Sequence, residues 1–384
     1  MKPLYLDPAS KRHFSFGLAL IILTLAGCQK EQQVKTSPAP APTAASAPAQ
    51  NNSVPPQYSY ADVIERAGPA VVTVHSERRV RAPRQFPFFG NPFFGDPSGG
   101  QPKRPQVQMG LGSGVIVHSD GTILTNHHVV DGAEQIKVEL SNRRSFNAKL
   151  VGSDAPSDLA VLKIDAKDIA VLALGDSDRV RVGDIALAIG NPLGIGQTVT
   201  AGIISAKSRS TGLSDGSFED FLQTDAPINQ GNSGGALINA RGELIGINSQ
   251  ILSTSGGNIG IGFAIPSNMA RNVMDQLTKT GKVHRGQLGI AIQPVTSELA
   301  DQFGLSDTRG ILVAGVAENG PAAKAGIRRG DVIVAFNGQP VSDGNTLRNQ
   351  IASTPPGTQV QLTVVRDKRE QRIPVTLGEY QPRA

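Results

Sequence analysis

Residues 224–238 read TDAPINQGNSGGALI. Within this stretch Gly231, Gly234 and Gly235 surround Ser233 with residues that allow sharp turns and close backbone approach to a ligand. Acyl transfer needs such a setting: an exposed hydroxyl as nucleophile, beside backbone N–H groups that hold the developing oxyanion. Flexible turns share the composition. Ser233 is therefore a candidate nucleophile only if the chain also supplies a base and a carboxylate.

Six histidines are available, and His127-His128 stand out in TNHHVVDGA, directly after a strand-like run at Thr122–Asn126. Neighbouring side chains on regular structure point apart. No His-Glu-x-x-His motif or cysteine cluster completes a metal site, so we expect neither a metal nor a cofactor. Downstream, Asp158 leads into the apolar run Leu159–Ile164. A partly buried carboxylate there suits a group that holds an imidazole in one tautomer, although most aspartates so placed are turn residues or caps. The order His, Asp, Ser is that of chymotrypsin-type barrels. The competitor is an α/β-hydrolase elbow, because Gly231–Gly235 also fits Gly-x-Ser-x-Gly. That fold needs Ser, then Asp, then His (nominally Asp275 and His284), with a helix after the serine. The residues after Ser233 read instead as strand, turn and strand, GALINARGELIGIN.

The wider pattern agrees with a mainly β protein. Aromatic residues make up only 4% of the chain and Trp is absent, whereas 43 Gly and 26 Pro punctuate short runs rich in Val and Ile. Strands are expected at Gly114–His118, Thr122–Asn126, Gln135–Leu140, Phe146–Val151, Leu159–Ile164, Ile185–Ile189, Thr198–Ser205, Leu237–Ile238, Glu243–Asn248 and Gly260–Ala264. Pro266–Gly281 reads as a helix, with Met269, Val273 and Leu277 recurring every four residues and glycine at its end. A net charge of +5 without a basic run interleaved with aromatics gives no reason to expect nucleic-acid binding.

The N-terminus has its own organisation. A basic start (Lys2, Lys11, Arg12) precedes the apolar run Phe14–Gly27, which is short for a membrane span and right for a signal-peptide core. Leu25-Ala26-Gly27-Cys28 resembles a bacterial lipoprotein signal, so residues 1–28 read as a signal peptide and Cys28 as the site of lipid attachment. Cys28 is the sole cysteine, which excludes an intramolecular disulfide. Gln29 is not the aspartate that retains such proteins at the inner membrane, which points to the outer one. Residues 29–57 are rich in Ala, Pro, Ser and Gln and read as a disordered tether, able to reach ~90 Å if extended. The insertion 78–109, with its Phe pairs, reads as a long functional or disordered loop.

The phrases TNHHVV, SDLAVL, AIGNPLG, TDAPINQGNSGGAL and GELIGINSQ together resemble the HtrA family of serine endoproteases (the DegP, DegQ and DegS group) over about residues 58–380. The resemblance implies a chymotrypsin-like protease domain of two six-stranded β-barrels (58–281) with the active site between them, in a homotrimer or higher multiple. It makes Ser233 the nucleophile, His128 the general base and Asp158 the orienting carboxylate, with the N–H groups of Gly231 and Ser233 as oxyanion hole. The family usually carries Asn at the position of His127, which leaves His127 as the lesser contender for the base. Ile228 and Ile251 are expected to shape a shallow apolar substrate pocket, and Arg209 matches an arginine in the family's regulatory loop.

Residues 286–380 show a second β pattern and resemble an α+β PDZ domain. Such domains add a peptide C-terminus as a strand to an exposed edge. The amides of Leu288, Gly289 and Ile290 are expected to grip the terminal carboxylate, opposite a helix at Gly344–Ala352. The resemblance implies a periplasmic quality-control protease acting on unfolded or misfolded polypeptides and governed by C-terminal peptides. The alternatives are a regulatory protease that cuts one membrane-bound signalling protein, and a largely chaperone-like binder.

Overall fold

The computed structural model describes residues 59–80, 106–191, 196–211, 218–229, 231–251, 259–305 and 307–381. The signal segment, Cys28, the tether and most of the Phe-rich insertion lie outside these residues.

Helix α1 (Ala61–Ala67) leads into a first antiparallel sheet. Its strands are β1 (Val71–Val80), β2 (Gln106–His118), β3 (Thr122–Thr125), β4 (Gln135–Glu139), β5 (Ser145–Asn147), β6 (Lys149–Asp154) and β7 (Leu159–Lys163). They run β5-β4-β1-β2-β3-β7-β6. Between β3 and β4 lies a single helical turn, α2 (His127–Val130).

The expected strand Phe146–Val151 is two strands here. The chain breaks at Ala148, whose N–H donates to the Ile136 carbonyl (2.9 Å), so β5 pairs with β4 and β6 pairs with β7. One bent segment thus serves both edges of the sheet. That explains seven strands where six were expected, and bends of this kind are how strands turn corners in orthogonal β packings. The second sheet closes by hydrogen bonds all the way round. Strands β8 (Ile185–Gly190), β9 (Thr198–Arg209), β10 (Phe221–Thr224), β11 (Ala236–Ile238), β12 (Leu244–Ile251) and β13 (Gly262–Pro266) form the barrel β10-β13-β12-β11-β8-β9. Strand β10 has only four residues between glycine- and proline-rich stretches, and its pattern alone did not single it out.

Helix α3 (Ser267–Thr280) ends at Gly281 with φ +72, a left-handed cap that favours glycine. Ala270, Val273 and Leu277 face a core shared with Val115, Leu124 and Leu159 of the first sheet and Leu187, Ile189 and Phe263 of the second. Each sheet also keeps a core of its own, around Ile116, Ile123 and Leu162 in the first and Ile204, Leu222 and Leu237 in the second.

The C-terminal module contains β14 (Gly286–Gln287), β15 (Ile290–Pro294), α4 (Ser297–Phe303), β16 (Ile311–Val316), α5 (Pro321–Lys324), β17 (Val332–Phe336), β18 (Gln339–Pro340), α6 (Gly344–Ser353), β19 (Gln359–Arg366), β20 (Arg369–Thr376) and β21 (Gly378–Glu379). Its main sheet runs β15-β16-β17-β19-β20, which leaves β15 on an edge. Two asparagines one turn apart on α6, Asn345 and Asn349, donate to the main-chain oxygen of Glu219, just before β10 (2.8 and 2.6 Å).

Candidate active site

Thr125 ends β3 and Asn126 remains extended, so α2 begins at His127. The buried Asn126 side chain donates to the Asp158 carbonyl (2.9 Å), and the His127 N–H reaches the same oxygen (3.1 Å). These bonds fix the start of α2 against the residue that its second histidine must meet. His128 Nδ1 lies 2.9 Å from both carboxylate oxygens of Asp158, and the His128 backbone N–H donates to Oδ1 (3.1 Å). With Nδ1 committed to a carboxylate, Nε2 is the nitrogen left to accept a proton. The ring is about half exposed, as proton exchange with a substrate requires.

His127 points elsewhere. Its Nδ1 meets Ser153 Oγ (3.2 Å) and its Nε2 lies 3.7 Å from Asp131. Adjacent positions on one helical turn thus send the two rings to different partners, and only His128 meets Asp158.

Asp158 adopts φ +54 and ψ +39, a left-handed conformation that costs a non-glycine residue about 1–2 kcal/mol. A 3₁₀ turn, Ala155–Ser157, precedes it. Asp154 caps that turn by accepting from the Ser157 N–H (3.0 Å) and hydroxyl.

Ser233 lies on the second barrel, between β10 and β11. Gly231 has φ +96, a conformation that favours glycine, at the third position of a turn closed by the Asn232 N–H and the Asn229 carbonyl (3.0 Å). The Ser113 hydroxyl of β2 holds the Gly231 carbonyl (2.7 Å), and the Ser113 N–H holds that of Ser233 (2.8 Å). Packing is tight enough that a Cβ on Gly234 would come within 2.1 Å of the Ser113 carbonyl. Among the described residues no acceptor faces the N–H of Gly231 or of Ser233, so both remain available to an oxyanion.

Sequence reasoning missed the residue that ties the two halves together. Ser249, on β12 and only 3% exposed, donates from Oγ to Asp158 Oδ2 (2.9 Å), and its carbonyl accepts from Ser233 Oγ (2.9 Å). Its neighbour Asn248 exchanges main-chain bonds with Gly234 and Gly235 (2.8 and 2.9 Å). The available signal was a polar pair, Asn248-Ser249, continuing the buried apolar run Leu244–Ile247 of β12. In this structure the Ser233 hydroxyl bonds to Ser249 and not to the imidazole.

The remaining residues singled out in the sequence fall as follows. Ile228 is 1% exposed and packs inside the second barrel, with the half-buried Ile251 against its cluster and Gly262 beside its Cδ1. Arg209 ends β9 and donates from Nε to Gln223 (3.2 Å). Leu288 is buried, Gly289 takes φ +72 and Ile290 opens the edge strand β15. Between β15 and α6 runs a cleft of about 800 Å³, lined by Leu288, Gly289, Ile290, Leu347 and Ile351 and bordered by Pro156 and Phe218 of the protease half. Asp220 stands beside the junction of the two parts. Burial raises its pKa above the usual carboxylate value, aided by the charges of Asp178 and Asp343.

The chain matches the trypsin-like peptidase domain family over residues 112–247 and the PDZ domain family over residues 286–377. It is 46% identical over 340 residues to the periplasmic pH-dependent serine endoprotease DegQ of Escherichia coli strain K12, spanning 87% of this chain and 73% of that protein. Against the periplasmic serine endoprotease DegP of the same strain the identity is 45% over 344 residues, with 84% and 72% covered. Among solved structures, the HtrA-type protease AlgW with a tripeptide superposes with a TM-score of 0.70 at 45% identity, covering 85% of this chain and 99% of that one.

Proposed function

Because this chain belongs to the HtrA family of serine endoproteases, we propose that its peptide-bond hydrolysis runs through Ser233, His128 and Asp158. The protein is a serine endopeptidase with a trypsin-like domain and a PDZ domain. Ser233 Oγ attacks the scissile carbonyl while His128 Nε2 takes its proton and later returns it to the leaving amine. Asp158 holds the ring through Nδ1 and balances the charge of the imidazolium. The N–H groups of Gly231 and Ser233 bind the oxyanion, and removing one such donor costs ~10²–10³ in rate.

One observation carries this assignment. Ser249 touches Asp158 with its hydroxyl and Ser233 with its carbonyl, so a carboxylate of the first sheet and a hydroxyl of the second barrel share one buried contact. The reading also includes a resting form. With Ser233 Oγ on the Ser249 carbonyl, the hydroxyl must rotate before attack, and a C-terminal peptide added to β15 in the groove Leu288–Ile290 is the regulator we assign to that step. Arg209 serves in the loop that connects the two, and the face around Ile228 and Ile251 admits small apolar side chains. We further assign the enzyme to the periplasm, lipid-anchored through Cys28 and trimeric, with unfolded polypeptides as substrates.

Hydrolysis of casein, with and without a hydrophobic C-terminal peptide, tests the reading. Wild type should cleave, faster with peptide. Ser233→Ala and His128→Ala should be silent, and His127→Ala active. An active His128→Ala would transfer the base to His127, and an inert wild type under both conditions would leave only the binding role.

A further inference from the structure

We propose that Arg285, at the entrance to the C-terminal module, is a positioning residue for Asp158. It acts through Asp154 and the 3₁₀ turn Ala155–Ser157, and the inference rests on the reading of Asp158 as the triad carboxylate.

Arg285 follows helix α3 and immediately precedes β14. Its guanidinium meets Asp154 as a fork, Nη1 to Oδ1 at 2.8 Å and Nη2 to Oδ2, with both side chains only 8% exposed. Asp154 is the last residue of β6, and its remaining bonds go to the N–H and hydroxyl of Ser157. One carboxylate therefore does two things: it pairs with a buried cation and it caps the turn. Asp158 comes next, in a left-handed conformation that persists only where its surroundings impose it. The Asp158 N–H on the Ala155 carbonyl (3.1 Å) passes the shape of the turn directly to that residue.

The arginine is itself held. Its guanidinium lies 4.7 Å over the Phe218 ring, and the Phe218 N–H donates to the Pro156 carbonyl inside the same turn (2.8 Å). Tyr380 meets Phe218 edge-on at 5.2 Å, and its N–H bonds to the Arg285 carbonyl (2.8 Å). The turn before Asp158 is thus gripped on one side by a charge and on the other by an aromatic ring that the charge stacks upon. Removing Arg285 leaves a buried carboxylate without its counter-ion, free to take other partners at the expense of Ser157. A displacement of ~1 Å in a residue that orients the base is enough to lower a rate ~10²-fold. Lysine cannot replace the fork, since it offers a point charge with no planar pair of donors.

A merely structural lock would change how many molecules are folded, but not how fast each one turns over. The test therefore counts sites. Full-length Arg285→Met, Arg285→Lys, Asp154→Asn and the Arg285→Met/Asp154→Asn pair are titrated with a fluorophosphonate that labels Ser233, and peptide hydrolysis is expressed per labelled site. The expectation is a kcat about 10–10²-fold lower in Arg285→Met and Asp154→Asn with KM within about twofold, and a smaller loss in Arg285→Lys. The pair should be no worse than its worse member, because both changes break one unit. Should Arg285→Met not fold, the nearly isosteric Asp154→Asn and Arg285→Lys carry the comparison. Wild-type turnover per labelled site in Asp154→Asn, or single effects that multiply in the pair, would overturn the inference alone. A wild-type chain that takes no label even with the hydrophobic C-terminal peptide present would instead sink the triad reading, and this inference with it.

Discussion

The two sheets of the protease half are built differently. The second is a barrel hydrogen-bonded all the way round, whereas the first runs from β5 to β6, and a bend at Ala148 sends one segment to both of its edges. The chemistry divides along the same line. Ser233 and the N–H groups beside it sit on the ladder-closed barrel, where β11 and β13 are buried throughout. His128 and Asp158 sit on the other sheet, beside a turn whose cap, Asp154, is the end of the bent segment. The difference teaches that each frame borrows from the other's sheet: Ser113 of β2 holds the carbonyls of Gly231 and Ser233, while Ser249 of β12 holds Asp158 and Arg285 braces the turn before it.

Substitutions should separate the two frames. Asp158→Asn removes the acceptor that sets the His128 tautomer, and kcat should fall about 10⁴-fold with little change in the melting curve. Gly234→Ala strikes the nucleophile's side. Its Cβ has no room against the Ser113 carbonyl, and the displaced turn should cost ~10²–10³ in kcat, comparable to losing an oxyanion donor. If Gly234→Ala were as active as wild type, the tight seating of this turn on Ser113 would have no bearing on the rate. Leu277→Ala opens the core that both sheets share through α3. It should destabilise by about 3 kcal/mol in denaturant, and both sheets should still unfold in one transition. Two separated transitions would show that the halves are independent.

Smaller effects probe the contacts between the frames. Ser249→Ala deletes one bond to Asp158 while keeping the main-chain acceptor for Ser233, so kcat should fall about tenfold. The smallest change concerns Asp220, whose pKa burial raises above the unfolded value of 3.8. A carboxylate with a raised folded pKa holds its proton more tightly when folded, so stability falls as pH climbs from about 3.8 through the raised value. Asp220→Asn should therefore melt a few degrees above wild type near neutral pH, with the advantage fading as the pH drops below that window. Thermal scans at neutral and acidic pH check the sign.

Much of this was legible in short words of sequence. Ser233 announced itself through its glycines, and His128 and Asp158 through the strands that deliver them. The ends of α3 followed from its apolar spacing and Gly281. What stayed hidden were features that exist only between distant segments. Asp154 and Arg285 look like an ordinary turn residue and an ordinary linker charge until folding pairs them. Ser249 gains its role only from facing Asp158, and the bend at Ala148 is set by which neighbour each half-strand finds. The choice between His127 and His128 could not be made from spacing, because it depends on where one turn of helix starts.

The contact between α6 and the protease half has a consequence for how the protein tolerates change. Asn345 and Asn349 converge on the main-chain oxygen of Glu219, not on its side chain. Every amino acid offers that oxygen, so position 219 can vary without deleting the acceptor, while either asparagine is lost by a single substitution. The attachment is thus mutationally lopsided: robust on one side, fragile on the other. A screen of random variants for uncoupling of the two parts should accumulate hits on the helix and spare the carbonyl it grips.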